Sequence, residues 1–193
     1  MTKLKLPVGP RDHARGVATA PLTLLEYGDF ECPQCARAYP IVVNLQKAFG
    51  ARLRYVFRHF PLTSSHPHAQ HAAEAAEWAA AAYGEGAFWR MHDAFYGDPT
   101  ALADRQILER VRELGPQPPS SSLPLSLEQA WAAHTYIPRV KEDFRSGISS
   151  GVNGTPAFFI NGARHEGLWD EDTLTMALDR AARTGFEDAD VEH

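Results

Sequence analysis

The sequence predicts an α/β fold in which a β-α-β unit and a closing β-β-α unit are separated by a long helical stretch. Three observations predict it. Apolar runs over residues 22–27 and 53–60 flank a segment of helical periodicity. From Pro61 to about Gly151 the signal changes to helical. Strand patterning returns only after Gly154. The period of the apolar positions separates the two kinds of element, because side chains repeat every 3.6 residues on a helix and every second residue on a strand.

In chain order, residues 22–27 read as a buried strand, mostly apolar on both faces. A Gly28-Asp29 turn signal follows, then two cysteines. Pro33 suits the first turn of a helix, where a missing N–H costs nothing. That helix carries Ala36, Tyr39, Val42, Val43 and Leu45 and stops at Gly50, a natural left-handed terminator. Pro40 lies inside it and is expected to kink it. Over residues 53–60, Leu53, Tyr55 and Phe57 alternate with arginines, and Val56 is the apolar exception. A right-handed crossover would make these two strands parallel.

The central block is helical. Residues 68–83 are Ala-rich and suited to close packing on a neighbour. Phe88, Met91, His92 and Phe95 recur at helical spacing, as do Ile107, Leu108, Val111 and Leu114 before Gly115. Residues 115–124 are rich in Pro and Ser and read as a loop. Ser126-Leu127-Glu128-Gln129 is a capping box opening another helix. Pro138 either kinks that helix or starts the next, which carries Val140, Phe144 and Ile148. A strand over 157–161, a turn at Asn161-Gly162 and a strand over 163–167 follow. The last helix runs from about Asp170 with Leu174, Ala177, Leu178 and Ala181 in register. Residues beyond Gly185 are acidic and expected to fray. The expected division is therefore one domain from 1–61 and 151–193, interrupted by a helical subdomain over 62–150. Trp78, Phe88, Trp89 and Phe95 are expected to form that subdomain's core.

Composition narrows the function classes. The chain has 193 residues, of which 44% are hydrophobic and 22% charged, with a net charge of −5 and no run of Lys or Arg. A nucleic-acid footprint should be basic and clustered, so that class is set aside. No apolar run reaches the length of about 18 residues that a membrane span needs. The first ten residues lack the apolar core of an export signal, which makes the cytoplasm the expected compartment.

Cysteine usage points to chemistry. Only two cysteines are present, Cys32 and Cys35, both in Cys32-Pro33-Gln34-Cys35. A thiol attacks a disulfide as its thiolate, so a redox cysteine needs its pKa lowered from about 8.5. The start of a helix does this through unpaired N–H groups and the positive end of the dipole. Cys32 is placed at such a start, to attack, and Cys35 one turn along, to resolve. The competing reading is zinc, which would need about four ligands. His66, His68 and His71 could contribute in principle, but no other cysteine exists, and redox chemistry is the better reading. A metal is therefore not expected, and those histidines are expected to make local hydrogen bonds. Asp29 and Glu31 would oppose a thiolate if close, and Phe30 is expected as a hydrophobic lip rather than core.

These residues resemble the thioredoxin superfamily, and within it the DsbA-like branch, in which a helical domain interrupts the thioredoxin fold. Four features carry the resemblance: Cys32-Pro33-Gln34-Cys35; Glu26, six residues earlier; Pro40; and Gly151-Val152-Asn153-Gly154-Thr155-Pro156-Ala157-Phe158-Phe159. The stretches Phe60-Pro61-Leu62 and His66-Pro67-His68-Ala69 also resemble cytoplasmic-type members.

The resemblance implies a thioredoxin-like fold and exchange of disulfides with protein or peptide thiols, glutathione among them. No dissociable cofactor is implied, because the cysteine pair carries the electrons. It implies a proton-relay role for Glu26, whose burial would raise its pKa. It implies a cis peptide bond before Pro156, and Thr155 as the residue whose backbone pairs with an extended substrate. Two alternatives stay open at this point. One is a non-redox binding module or chaperone on the same fold. The other is a glutathione-dependent isomerase resembling the chromene-carboxylate enzymes, a branch that usually lacks the second cysteine.

Overall fold

Short apolar strands and longer amphipathic helices alternate as their periodicities require. The computed structural model describes residues 2–116 and 125–189. Among these, five strands form one mixed sheet and seven helices accompany it. Two compact units result. One comprises Met1–Tyr27, Arg37–Arg58 and Ser146–His193, and the other Gly28–Ala36 and His59–Arg145. The helical unit therefore takes in the cysteine segment as well as the central block.

The first unit holds the sheet, in the order β1-β3-β2-β4-β5. Strand β1 (His13–Arg15) pairs antiparallel with β3 (Leu53–His59), Ala14 lying opposite Val56. It ends at Gly16, whose φ of +97° and closeness to the Leu53 carbonyl leave no room for a Cβ. Strand β2 (Leu22–Gly28) neighbours β3 and reaches it through helix α1 (Pro33–Phe49), the kind of crossover a parallel pair needs. On its other side β2 pairs antiparallel with β4 (Ala157–Ile160). Asn161 and Gly162 both have positive φ, the two-residue turn that matches strand twist, and lead into β5 (Ala163–Arg164). The strand expected over 163–167 is thus only two residues long. Leu24, Tyr55, Phe57 and Phe159 are fully buried, as are Leu174 and Leu178 of α7 (Glu171–Ala189). Asp170 caps α7 through the Thr173 amide at 2.9 Å. Of the tail expected to fray after Gly185, residues 186–189 continue α7, and residues 190–193 lie outside the described residues.

Pro40 sits inside α1 without ending it, and Gly50 follows at φ +54° as a left-handed terminator. Two further ties hold the amino-terminal residues in this unit. Residues 2–5 line up beside β5: the Arg164 amide donates to the Thr2 carbonyl and the Leu4 amide to the Gly162 carbonyl, both at 2.8 Å. Arg58, 1% exposed, reaches Asp12 with Nε at 2.7 Å and Nη2 at 3.0 Å. Its remaining N–H groups go to the Leu6 and Pro7 carbonyls and the Tyr27 hydroxyl. Burial alone would lower the Arg58 pKa, but hydrogen bonds to Asp12 and Tyr27 outweigh it and the guanidinium stays charged.

The second unit is built on α2 (Ala69–Tyr83), which packs on α3 (Glu85–Gly97), α4 (Asp104–Glu113) and α5 (Leu127–Ala132). Ala72, Ala75, Ala76 and Ala79 are fully buried at helical spacing, so the α2 backbone can approach its neighbours closely. Trp78, Phe88, Trp89 and Phe95 are buried, as the sequence predicts. Pro138 begins α6 (Ile137–Ser149) rather than kinking α5. A buried polar group ties these parts together: the Asp143 carboxylate accepts from the His59 amide at 3.0 Å and from Arg139, while Glu77 meets the His59 ring at 3.1 Å. Burial pushes the Asp143 carboxyl up, and Arg139 and His59 only partly offset this.

The capping box is present as expected. The Gln129 amide donates to Ser126 Oγ at 3.3 Å, and the Ser126 amide donates to Gln129 Oε1 at 2.9 Å. Ser126→Ala is expected to cost about 1 kcal/mol, lowering Tm by about 2–4 °C for a chain of this size. Calorimetry of the variant checks this, and an unchanged Tm would show the cap to be idle. The loop expected over 115–124 falls mostly outside the described residues.

Candidate active site

Cys32 occupies the N-cap of α1. Its carbonyl accepts from the Ala36 amide at 3.1 Å, the first bond of the helix, and Pro33 is the first helical residue. An N-cap side chain lies where the helix's orphan N–H groups and positive dipole end act, so this position favours a thiolate. Cys35 is one turn in. Both are buried, Cys32 at 5% exposure and Cys35 fully, which leaves Cys32 the more accessible of the two.

The approach to the helix is shaped by Asp29, whose side chain is fully buried. Its carbonyl accepts from the Cys32 amide at 3.1 Å, and its Oδ1 accepts from the Glu31 amide at 2.8 Å. Such a side-chain bond to an amide two residues on closes a tight turn. Oδ2 accepts from the Leu62 amide and meets His66 Nδ1, each at 2.8 Å. Glu31 Oε2 accepts from the His68 amide at 2.6 Å. Two carboxylates just before Cys32 thus pin residues 62–68 alongside it. Burial tends to lower the His66 pKa, but the Asp29 hydrogen bond and charge, then Cys32 and Glu31, raise it above the ordinary histidine value.

Two expectations are corrected here. Phe30 is core rather than a lip: it is 1% exposed and its ring meets His59, His92, Phe95 and Tyr96 at centroid distances of 5.1–5.8 Å. An aromatic ring with four aromatic neighbours gains more from packing than from facing solvent. Nor do His66 and His71 bond locally, since His66 reaches Asp29 and His71 Nδ1 meets Asp104 at 2.7 Å while stacking on Trp131. The sequence reading missed Asp29 as a buried anchor, because an Asp in a turn is ordinarily solvated.

The other expected site residues lie in the sheet unit. Glu26 on β2 is 1% exposed and accepts from the Tyr55 hydroxyl at 2.7 Å. It stands opposite Phe158 in the β2–β4 ladder. The Thr155–Pro156 bond, immediately before β4, is cis. Sheet pairing therefore brings Glu26 and the proline loop onto neighbouring strands. A cavity of about 290 Å³ opens beside this loop, lined by Asn153, Thr155, Pro156, Arg164, His165 and Trp169 among others. Arg164 is held by the Gly151 carbonyl, and His165 Nε2 meets the Leu168 carbonyl at 2.7 Å.

Comparison with known proteins places this geometry. A family model described as "Thioredoxin" matches residues 9–180. A solved thioredoxin-like oxidoreductase from Silicibacter pomeroyi superposes with a TM-score of 0.70 at 27% identity, covering 91% of this chain and 94% of the other. The α-DsbA1 structure from Wolbachia pipientis gives a TM-score of 0.75 at 20% identity, over 96% and 98% of the two chains. Among curated proteins, a Na(+)/H(+) antiporter NhaA 1 from Salinispora arenicola is 43% identical over 180 residues, 92% of this chain. The chain spans about a quarter of the length of the curated relatives it matches, 26% in that case. No helix among the described residues is long and apolar enough to cross a membrane.

Proposed function

Because the chain belongs to the thioredoxin family as a DsbA-like member, with the thiol–disulfide oxidoreductase chemistry that this fold supports, we propose that it exchanges disulfides with protein or peptide substrates through Cys32 and Cys35. The observation that carries this reading is the placement of Cys32 at the N-cap of α1, with Cys35 buried one turn in.

The Cys32 thiolate attacks one sulfur of a substrate disulfide. A mixed disulfide forms as the substrate S–S bond breaks, and the other substrate sulfur leaves as a thiolate. Cys35, deprotonated, then attacks Cys32 Sγ, which releases the second substrate sulfur and leaves the pair oxidised. Two electrons pass from the pair to the substrate, and two protons follow to the released thiolates. Glu26 takes the proton from Cys35 in this scheme, and its burial against Tyr55 keeps it out of bulk water. The Thr155 backbone pairs with the extended substrate by strand addition, and the cavity beside Pro156 receives a substrate side chain. Run in reverse, the same steps oxidise a dithiol. The pair's potential relative to its surroundings sets the direction. A cytoplasmic setting belongs to the same proposal: both cysteines sit in the redox motif, so no structural disulfide asks for an oxidising compartment.

Insulin reduction tests this reading. The full chain with dithiothreitol should precipitate the insulin B chain well ahead of the reductant alone, and Cys32→Ser should abolish the acceleration. Equal rates with and without the protein would remove the proposal.

A further inference from the structure

The geometry points to His66, held by Asp29, as the cationic partner that keeps Cys32 in its thiolate form, which makes the reactivity of the cysteine pair follow the protonation of this histidine. This rests on the redox reading of Cys32 and Cys35 and adds a positioning pair to it.

Three N–H donors converge on the buried Asp29 carboxylate: the Glu31 and Leu62 amides and His66 Nδ1. Accepting all three suits an ionised carboxylate, which offers only acceptors. With Nδ1 engaged, Nε2 is the ring nitrogen that gains or loses a proton. The His66 side chain is 18% exposed, so it can exchange that proton with solvent, and Asp29, fully buried, holds the ring in place. Asp29 thus plays the orienting part and His66 the titrating part.

The pair adjoins the nucleophile by two routes. Asp29 holds the Cys32 amide through its own carbonyl. His66 meets the side chain of the residue whose carbonyl holds the Cys32 amide, and a charge on Cys32 is among the causes that raise the His66 pKa. The charged groups that weigh most on His66 are Asp29, Cys32 and Glu31, all from the segment leading into α1. By linkage the effect is mutual: whatever the thiolate does for His66 protonation, the imidazolium does for thiol ionisation. Asp29 and Glu31 alone would oppose a thiolate beside them. The imidazolium offsets that opposition, and the helix N-terminus adds to it.

The sign follows directly. Below the raised His66 pKa the imidazolium is present and supports the thiolate. As pH rises through that value the support is lost, so Cys32 titrates over a broadened range rather than as an isolated thiol.

Alkylation of Cys32 by iodoacetamide across pH 4–9, on the reduced full chain, tests this. His66→Gln should move the Cys32 titration up by about one pH unit, which lowers the alkylation rate by about tenfold at pH values below both titrations. His66→Lys restores a fixed positive charge and should restore the rate. In the unaltered protein, the His66 ring followed by NMR should titrate at lower pH in the disulfide form than in the dithiol form. That measurement needs no variant to fold. An unchanged Cys32 titration in His66→Gln, or identical His66 titrations in both redox states, would overturn the inference. Coupled titrations without insulin reduction would sink the proposed function alone. Insulin reduction without coupling would sink only the role of His66.

Discussion

Cys35→Ser is expected to arrest turnover and to leave substrate bound covalently to Cys32. The first step needs only the Cys32 thiolate, so the mixed disulfide forms as before. The second step needs a thiol one helical turn away, and serine cannot displace sulfur from sulfur. Turnover is expected to fall by about 1,000-fold, equivalent to about 4 kcal/mol of lost transition-state stabilisation. Cys35 is fully buried and serine is slightly smaller, so the fold should persist at a cost of about 1–3 kcal/mol if the new hydroxyl finds no partner. Non-reducing electrophoresis and mass spectrometry of Cys35→Ser after incubation with a cell extract should reveal adducts that dithiothreitol releases. Cys32→Ser should give none. If both variants trap equally, the assignment of attacking and resolving thiols is wrong. Recovery of glutathione alone would argue against a protein substrate.

Arg58→Met should be the most destabilising single change outside the hydrophobic core. It takes the guanidinium from the Asp12 carboxylate, 7% exposed, leaving that charge the Gly9 amide, and removes the donors that satisfy the Leu6 and Pro7 carbonyls. Removing one member of a buried ion pair typically costs about 3–5 kcal/mol. The cost arises mainly from the partner left behind, because a buried pair is itself nearly neutral against well-packed apolar residues. The double variant Asp12→Leu, Arg58→Met should therefore recover much of the loss. Urea unfolding of the two single variants and the double variant measures the coupling. Additive losses would show that the two side chains act independently.

Several elements were legible in the sequence because each carries a local signal. Pro33 at a helix start, Asn161-Gly162 between strands and the Ser126–Gln129 box each act within a few residues, and each is found where expected. Strand β1 was invisible for the opposite reason. His13-Ala14-Arg15 has no apolar alternation, and only its pairing with Tyr55–Phe57 makes it a strand. The same limit explains Phe30 and His66. Whether a ring flanked by two acids faces water or core depends on α3, more than fifty residues on. Whether a loop histidine meets its neighbours or Asp29, 37 residues back, depends on how residues 62–68 return. Local chemistry could be read from the order of residues, and long-range partners could not.

The ties of the amino-terminal residues bear on where this module can be cut. Resemblance to the family begins at residue 9, and a fragment trimmed there would retain the motif, the sheet and Asp12. It would discard Leu6 and Pro7, and with them two acceptors of a guanidinium that water barely reaches. It would also strip residues 2–5 from beside β5, exposing the Arg164 amide and the Gly162 carbonyl and leaving an edge open to pairing with other chains. A transplantable piece therefore has to keep residues 2–8, a requirement set by hydrogen bonding rather than by ancestry.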